Sequence, residues 1–140
     1  MDHPLFSVEL DVRDYECDLQ GIVNNAVYQQ YLEHARHLFL KASGMDFARL
    51  SAEGVNLVVV RAELDYLFPL RSGDRFRVDL SLSRVSRLRF AFQQEIHRIP
   101  DGKPVLRAVI TGTAIDGNGR PRLPADVERL LAASAQGSGG

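Results

Sequence analysis

The fold is predicted to depend on one stretch, which begins Asp18-Leu19-Gln20-Gly21-Ile22-Val23-Asn24-Asn25 and continues Ala26-Val27-Tyr28-Gln29-Gln30-Tyr31-Leu32-Glu33-His34-Ala35-Arg36-His37. Asn24 or Asn25 can cap the first turn of a helix, and Gly44 supplies a stop. The helix would be about 28 Å long and is the only long helix predicted. Its apolar residues recur every three or four positions, as one buried face requires; they are Val27, Tyr28, Tyr31, Leu32, Ala35, Leu38, Phe39 and Ala42.

Alternating apolar and polar residues predict strands on both sides of this helix. One strand precedes it at residues 6–13, and a short helix at residues 45–53 follows it. The predicted class is α+β, with one strand, one long helix and a four-stranded antiparallel meander. One helix cannot cover both faces of five strands, so self-association through edges or helix sides is expected. The remaining strands and a closing helix are predicted at residues 56–68, 75–82, 88–96, 105–115 and 123–133.

Composition and charge argue against several classes of function. The 140 residues suit one domain, predicted at residues 1–134, and residues 135–140 are predicted to form a disordered tail. Seventeen basic and eighteen acidic side chains give a net charge of −1, which favours neither nucleic acid nor a membrane as a partner. No apolar run is long enough to span a bilayer. A single cysteine, Cys17, and no signal-peptide pattern lead us to expect a cytoplasmic protein.

Two segments resemble a known family. The first is the stretch from Asp18 to Arg36 quoted above, and the second is Phe68-Pro69-Leu70-Arg71-Ser72-Gly73-Asp74. Both resemble the hotdog-fold acyl thioesterases of the 4-hydroxybenzoyl-CoA thioesterase type. Within that superfamily, the run Val23-Asn24-Asn25-Ala26-Val27-Tyr28 is most similar to the fatty acyl-CoA and acyl-ACP thioesterases.

The resemblance implies a fold, an activity and an assembly. The fold is the hotdog fold, a five-stranded antiparallel sheet wrapped around one long central helix. The activity is hydrolysis of acyl-CoA or acyl-ACP in fatty acid metabolism, with no cofactor. The assembly is a homodimer or homotetramer with its active sites at a subunit interface, and the acyl chain lies in an apolar groove beside the helix.

The loop departs from some members of that family. Relatives that act on aromatic thioesters usually carry an aromatic residue or a histidine around positions 24 and 25, and an asparagine just before the tyrosine. This chain has Asn24, Asn25 and Val27 at those places. We therefore do not carry over an aromatic substrate or a mechanism that needs a histidine there.

Thioester hydrolysis needs a base or nucleophile, a donor for the oxyanion and a place for the acyl chain. Asp18 is the predicted base or nucleophile, because a thiolate leaves easily and the attacking group needs little activation. Asn25 is the predicted oxyanion donor, because the first N–H groups of a helix lack internal partners. The predicted substrate contacts are Gly21, which permits a tight turn, together with Ile22, Val23, Asn24 and Tyr28.

Each of these residues also has a plainer interpretation. An aspartate in a turn can hydrogen-bond its own backbone, and this is the alternative for Asp18. Asn24 and Asn25 are at least as suitable for helix capping as for substrate contact. Tyr28 can be part of the core or the groove lining instead of an acid–base group.

Cys17 is a rival nucleophile, with His34 or His37 as its base. Adjacent residues in extended backbone point in opposite directions, so Cys17 and Asp18 cannot both face the substrate. The two histidines lie more than two turns into the predicted helix. We therefore prefer Asp18.

Arg84 and Arg87 are the predicted contacts for the coenzyme A phosphates or for the acidic surface of acyl carrier protein. A solvated strand face is the alternative of equal weight. No metal site is predicted, because the four histidines and Cys17 do not have a ligand spacing; the histidines are His3, His34, His37 and His97.

Two other functions stay open at this stage. One is a dehydratase or hydratase of the same fold, which typically needs a histidine in the loop. The other is a non-catalytic module that binds acyl thioesters, in which Asp18 is only structural. The acyl chain length, the carrier and the tetramer geometry are not encoded in any recognisable motif.

Overall fold

The structure is a computed structural model that describes residues 4–138. A single turn of 3-10 helix at Asp14–Glu16 follows the first strand. The other elements are β1 (Phe6–Asp11), α1 (Asn25–Ala42), α2 (Phe47–Ala52), β2 (Asn56–Tyr66), β3 (Arg75–Arg84), β4 (Phe90–Ile99), β5 (Pro104–Ile115) and α3 (Ala125–Ser138).

The sheet is five-stranded and antiparallel, with the order β1-β3-β4-β5-β2. The prediction of a four-stranded meander is therefore wrong for β2, which pairs with β5 and not with β3. The reason is the path of residues 67–74, which cross the domain and do not form a hairpin. Leu67 and Phe68 donate to the carbonyl of Val105, and Gly73 donates to Val12 just after β1.

Helix α1 packs on the inner face of the sheet and confirms the predicted apolar stripe. Its buried residues are Tyr28, Tyr31, Leu32, Ala35 and Phe39, whereas Ala42 at its end is exposed. The Asn24 side chain caps the helix by accepting from the Ala26 N–H at 3.0 Å. The sheet contributes fully buried residues opposite this stripe, including Phe76, Leu80 and Ile96.

Strand β2 is a long edge of the sheet with exposed apolar side chains. Strand β5 is interior, as its two apolar faces predicted, but β2 is an edge strand of 11 residues that is mostly exposed. Large apolar side chains on or just after β2 are open to solvent, at 53% for Val59, 43% for Val60, 49% for Tyr66 and 47% for Leu67. Such an edge is a template for pairing with another strand.

Helix α3 is longer than the closing helix predicted at residues 123–133. It runs over Ala125–Ser138, while Gly139 and Gly140 lie outside the described residues. The disordered tail at residues 135–140 stays a prediction. Within residues 4–138, none of the helices has the length and apolar character needed to cross a bilayer.

Candidate active site

The predicted catalytic loop is a tight hairpin held by backbone hydrogen bonds. Cys17 bridges to Val23, and the Asp18 N–H donates to the Ile22 carbonyl at 2.9 Å. The turn closes where the Gly21 N–H donates to the Asp18 carbonyl at 3.0 Å. Gly21 has a φ of +79°, which only glycine adopts easily, so the tight turn predicted from its identity is present.

Asp18 lies at the tip of this hairpin with its side chain exposed. One carboxylate oxygen, Oδ1, accepts from the Gln20 N–H at 2.8 Å, which is the turn contact of the plainer interpretation. Asp18 does not line the apolar cavity described below. Its carboxylate is therefore open to a ligand or to a second protein surface.

The start of α1 lies two residues beyond the hairpin. Within the described residues the Asn25 backbone N–H donates to no acceptor, because Asn24 caps the next N–H along the helix. Unpaired N–H groups and the helix macrodipole give this end a partial positive charge. The structure therefore leaves a backbone N–H without a described acceptor at the predicted residue, and the Asn25 side chain is exposed.

Two tyrosines of α1 fix the loop to the rest of the domain. The Tyr28 hydroxyl accepts from the Leu70 N–H at 2.9 Å, and the Tyr31 hydroxyl donates to Glu16 Oε1 at 2.9 Å. Burial is the main cause that raises the pKa of both tyrosines, and the Glu16 carboxylate adds to the shift of Tyr31. Both phenols therefore keep their protons near neutral pH and act as supports of the loop.

The predicted substrate contacts separate into accessible and buried residues. Asn24 is exposed, and Gly21 and Ile22 are partly exposed. Val23 and Tyr28 are buried at 2% and 3%, so in the single chain their side chains belong to the core. The sequence did not reveal Glu16, whose backbone carbonyl accepts from the Asn24 N–H at 3.0 Å and thereby joins the hairpin to the helix.

Cys17 has the properties of a weak nucleophile. Its pKa is raised first by burial and then by the charges of Asp14, Asp18 and Glu16. A raised pKa lowers the thiolate fraction, and the thiolate is the reactive form. Its Sγ contacts the Arg13 carbonyl at 4.0 Å, and a hydrogen bond with the Ser72 backbone lowers its pKa by less than the other causes raise it.

Arg84 and Arg87 lie at the β3–β4 turn, but only one of them is available to a ligand. Arg84 Nη1 donates to the carbonyls of Ser86 at 3.2 Å and Arg87 at 3.1 Å, and Nη2 pairs with Glu128 of α3. Arg84 therefore holds the turn against α3. The Arg87 side chain is exposed and has no described side-chain partner within residues 4–138.

A cavity of about 600 Å³ lies between the second half of α1, helices α2 and α3, and the sheet. This volume is typical of small-molecule sites. Arg49 of α2 donates to Asp126 of α3 at 2.7 Å and holds those two helices together beside the cavity. The lining is mainly apolar, and it includes Leu32, Leu40, Leu57, Phe92, Ile110 and Val127. The sequence patterns did not predict an enclosed cavity within one chain.

Within residues 4–138, no group of three or more His, Cys, Asp and Glu side chains is arranged to hold a metal ion.

The five antiparallel strands around α1 form the hotdog fold, as predicted, and solved structures confirm it. The crystal structure of a 1,4-dihydroxy-2-naphthoyl-CoA thioesterase from Synechocystis superposes with a TM-score of 0.85 at 23% identity, and the match covers 91% of this chain and 95% of that one. A hypothetical protein from Aquifex aeolicus gives a TM-score of 0.81 at 31% identity, with coverage of 90% and 98%.

Sequence comparison identifies the family. The pattern of the family described as the thioesterase-like superfamily matches residues 12–132, so the chain belongs to this superfamily. The acyl-acyl carrier protein thioesterase ATL2, chloroplastic, from Arabidopsis thaliana is 41% identical over 121 residues, 86% of this chain. This chain spans only 64% of the length of that relative.

Proposed function

We propose that the protein is an acyl thioester hydrolase that releases a free acid and a thiol from acyl-CoA or acyl-ACP. The observation that carries the proposal is that the exposed Asp18 carboxylate and the Asn25 N–H, which has no acceptor within the described residues, both lie at the N-terminal end of α1. The hairpin of residues 17–23 brings these groups to the same end of α1. Family membership and the names of thioesterase relatives support this choice.

The proposed chemistry divides between these two groups. The thioester carbonyl oxygen accepts from the Asn25 N–H, and the negative charge that develops on it is stabilised by the positive end of α1. Asp18 either attacks the carbonyl carbon or removes a proton from the attacking water. If Asp18 attacks, the carbon–sulfur bond breaks, the thiolate leaves and an acyl-aspartyl anhydride remains, which water then hydrolyses to the free acid and the Asp18 carboxylate. If water attacks, the same bond breaks, and the thiolate takes up the proton that Asp18 removed. A carboxylate suffices in either role because the thiolate is a good leaving group.

We propose that the active protein is a homodimer that pairs β2 with β2 of a second copy. β2 is a long edge strand with exposed apolar side chains. Within one chain, Tyr66 at the end of β2 packs on Tyr28 near the start of α1, with ring centroids 5.7 Å apart. Residues 56–59 at the other end of β2 line the cavity.

Antiparallel pairing about a two-fold axis would place the end of one β2 beside the beginning of the other. The catalytic loop of each copy would then lie next to the cavity of its partner. This arrangement supplies the surface that Asp18 lacks in the single chain, and it gives the acyl chain an apolar cavity of suitable volume. The homotetramer and the cytoplasmic location stay predictions.

The carrier half of the substrate is proposed to contact Arg87. Its guanidinium is available for phosphates of coenzyme A or for acidic side chains of a carrier protein. Arg84 keeps its proposed place at the site by holding the turn that presents Arg87. The relatives are named for both carriers, acyl carrier protein for the plant enzyme and coenzyme A for FadM of Escherichia coli, which is 32% identical over 108 residues.

A non-catalytic acyl-thioester binding module is the second candidate. It is favoured by the hydrogen bond between Asp18 Oδ1 and the Gln20 N–H, which gives Asp18 a structural role. The dehydratase or hydratase alternative has less support, because the loop of residues 17–24 contains no histidine.

The deciding experiment compares Asp18→Asn with Cys17→Ser across acyl-CoA and acyl-ACP chain lengths. Asp18→Asn keeps the turn contact, since an amide oxygen also accepts, but it removes the base, so kcat should fall by about 10²- to 10⁴-fold. Cys17→Ser should keep turnover within about threefold of wild type, because the thiol is not the reacting group. If Cys17→Ser loses turnover and Asp18→Asn keeps it, the nucleophile is misassigned; binding without hydrolysis by wild type selects the binding module.

A further inference from the structure

Arg36 is the one arginine that lines the apolar cavity. It lies on α1 and is partly buried, and its helix neighbours Glu33 and His37, whose side chains are exposed, also line the cavity. Most arginines at a helix surface extend into water. This one is turned into a space that an acyl chain is proposed to fill.

A buried glutamine fixes the direction of Arg36. Arg36 Nη1 donates to Gln94 Oε1 at 3.0 Å, and Gln94 Nε2 donates in turn to the Leu32 carbonyl at 3.1 Å. Gln94 is 0% exposed on β4, so its amide is held between helix and sheet. A buried polar chain of this kind fixes the rotamer of its outer member.

The guanidinium still has most of its hydrogen-bonding capacity. Of five N–H donors on an arginine, the contacts described within residues 4–138 use the one that reaches Gln94. Those contacts include no carboxylate within 4.0 Å of Arg36, although Glu33 is near enough for its charge to act on it. Burial lowers the pKa of Arg36, so an acceptor in the cavity would recover solvation that the guanidinium has lost.

We propose that Arg36 selects acyl chains that carry an acceptor oxygen on their distal part, such as a hydroxyl or a carboxylate. This inference rests on the proposed hydrolase function of the same site. Neither Asp18 nor Asn25 lines the cavity, so the thioester lies outside it and the cavity receives the far part of the chain. A plain alkyl chain would bury Arg36 without giving its donors an acceptor, and an oxygenated chain supplies one.

The test measures kcat/KM for three thioesters of equal length: dodecanoyl-CoA, ω-hydroxydodecanoyl-CoA and dodecanedioyl-CoA. Wild type should prefer one or both oxygenated chains, and Arg36→Met should reduce that preference by about tenfold or more. The readout is the ratio of kcat/KM between each oxygenated chain and dodecanoyl-CoA, in which a general effect of the variant on the cavity cancels. The hydroxyl and carboxylate substrates separate a neutral acceptor from an anionic one.

Two control variants and one binding measurement accompany the test. Arg36→Lys keeps a charge without the planar donors and should retain part of the preference. Arg120→Met removes an exposed arginine outside the cavity and should change nothing. Calorimetric binding of dodecanoic and ω-hydroxydodecanoic acid repeats the comparison without hydrolysis, so an inactive wild type would contradict the proposed function while the binding ratio still decides the role of Arg36.

An unchanged preference in Arg36→Met would overturn the inference, as would a wild type that shows none. A third contrary result is a uniform loss for all three substrates together with weaker dimerisation. That outcome would assign Arg36 to an ion pair between copies of the chain.

Discussion

The two ends of α1 are built in opposite ways. At its N-terminus, the hairpin of residues 17–23 presents Asp18 and Asn25 on an open surface, and the supporting contacts are polar. Toward its C-terminus, α1 lines an apolar cavity whose one arginine is locked by Gln94. The first end carries the proposed catalytic groups on an open surface, and the second end borders a cavity whose lining is mainly apolar.

This difference leads us to propose that a second copy of the chain completes the site. The ends of α1 are separated by more than ten residues of helix, each contributing a rise of about 1.5 Å, so one short substrate cannot easily use both ends of the same helix. Strand β2 runs beside α1 in the opposite direction, with Tyr66 at the reactive end and residues 56–59 at the cavity end. A pair of chains joined along β2 would bring unlike ends together.

The largest effect is expected where this pairing is broken. The variant Val60→Lys places a charge on the exposed part of β2 at a residue that does not line the cavity, and charged edge positions oppose strand pairing. We expect a folded monomer by light scattering and circular dichroism, with kcat/KM reduced about a hundredfold or more because the halves of the site are separated. Leu5→Lys, at a 41% exposed residue just before the opposite edge strand, is the matched control. A monomer with full activity would show that one chain suffices.

A smaller effect is expected from filling the cavity end alone. Leu40→Trp occupies space that two or three methylenes of an acyl chain would use, at about 0.8 kcal/mol for each. The expected loss is about 2 kcal/mol, or about thirtyfold in kcat/KM, for the longest chains and almost none for short ones. Lys41→Trp adds the same side chain at the next, exposed position of the helix and serves as the control. Equal losses at every chain length would place the acyl chain elsewhere.

The sequence predicted α1 well because its signals are local. The spacing of apolar residues, the cap at Asn24 and the stop at Gly44 lie within the helix or next to it, and the observed bounds are Asn25–Ala42. The position of β2 in the sheet was not predictable from local signals. It depends on contacts of residues 67–74 with Val105 and Val12, which lie far away in the sequence.

In the candidate site, too, the residues with local signals were predictable and those with long-range contacts were not. Asp18 and Asn25 follow from a contiguous motif, and their backbone geometry agrees with it, although their roles stay proposals. Glu16 and Arg36 carried no recognisable signal, because their partners lie 15 and 58 residues away. Neither alternation nor composition reveals which polar residue a strand will bury against a helix.

The smallest effect is expected from removing a hydrogen bond that supports the loop at the N-terminal end of α1. Tyr31→Phe removes the hydrogen bond from the tyrosine hydroxyl to Glu16 and leaves the aromatic packing with Phe76 in place. A partly buried bond to a charged group contributes about 1–2 kcal/mol, so the melting temperature should fall by about 3–6 °C. We expect kcat to fall a few-fold with little change in KM, because the loop is held less firmly. Tyr15→Phe, at a 75% exposed tyrosine, should change both values much less.

The pH dependence of the same variant tests whether burial and Glu16 raise the pKa of Tyr31. Burial and Glu16 raise the pKa of Tyr31, so the folded protein keeps the Tyr31 proton at a pH where the unfolded chain has lost it. This contribution to stability is complete below about pH 10, the unfolded pKa of tyrosine, and is lost as the pH rises toward the folded value. Urea unfolding at pH 8 and pH 11 should therefore show a steeper loss of stability in wild type than in Tyr31→Phe. Parallel losses would mean that the Tyr31 hydroxyl is solvated in the folded state, and the polar end of α1 would then be held by Tyr28 and Leu70 instead.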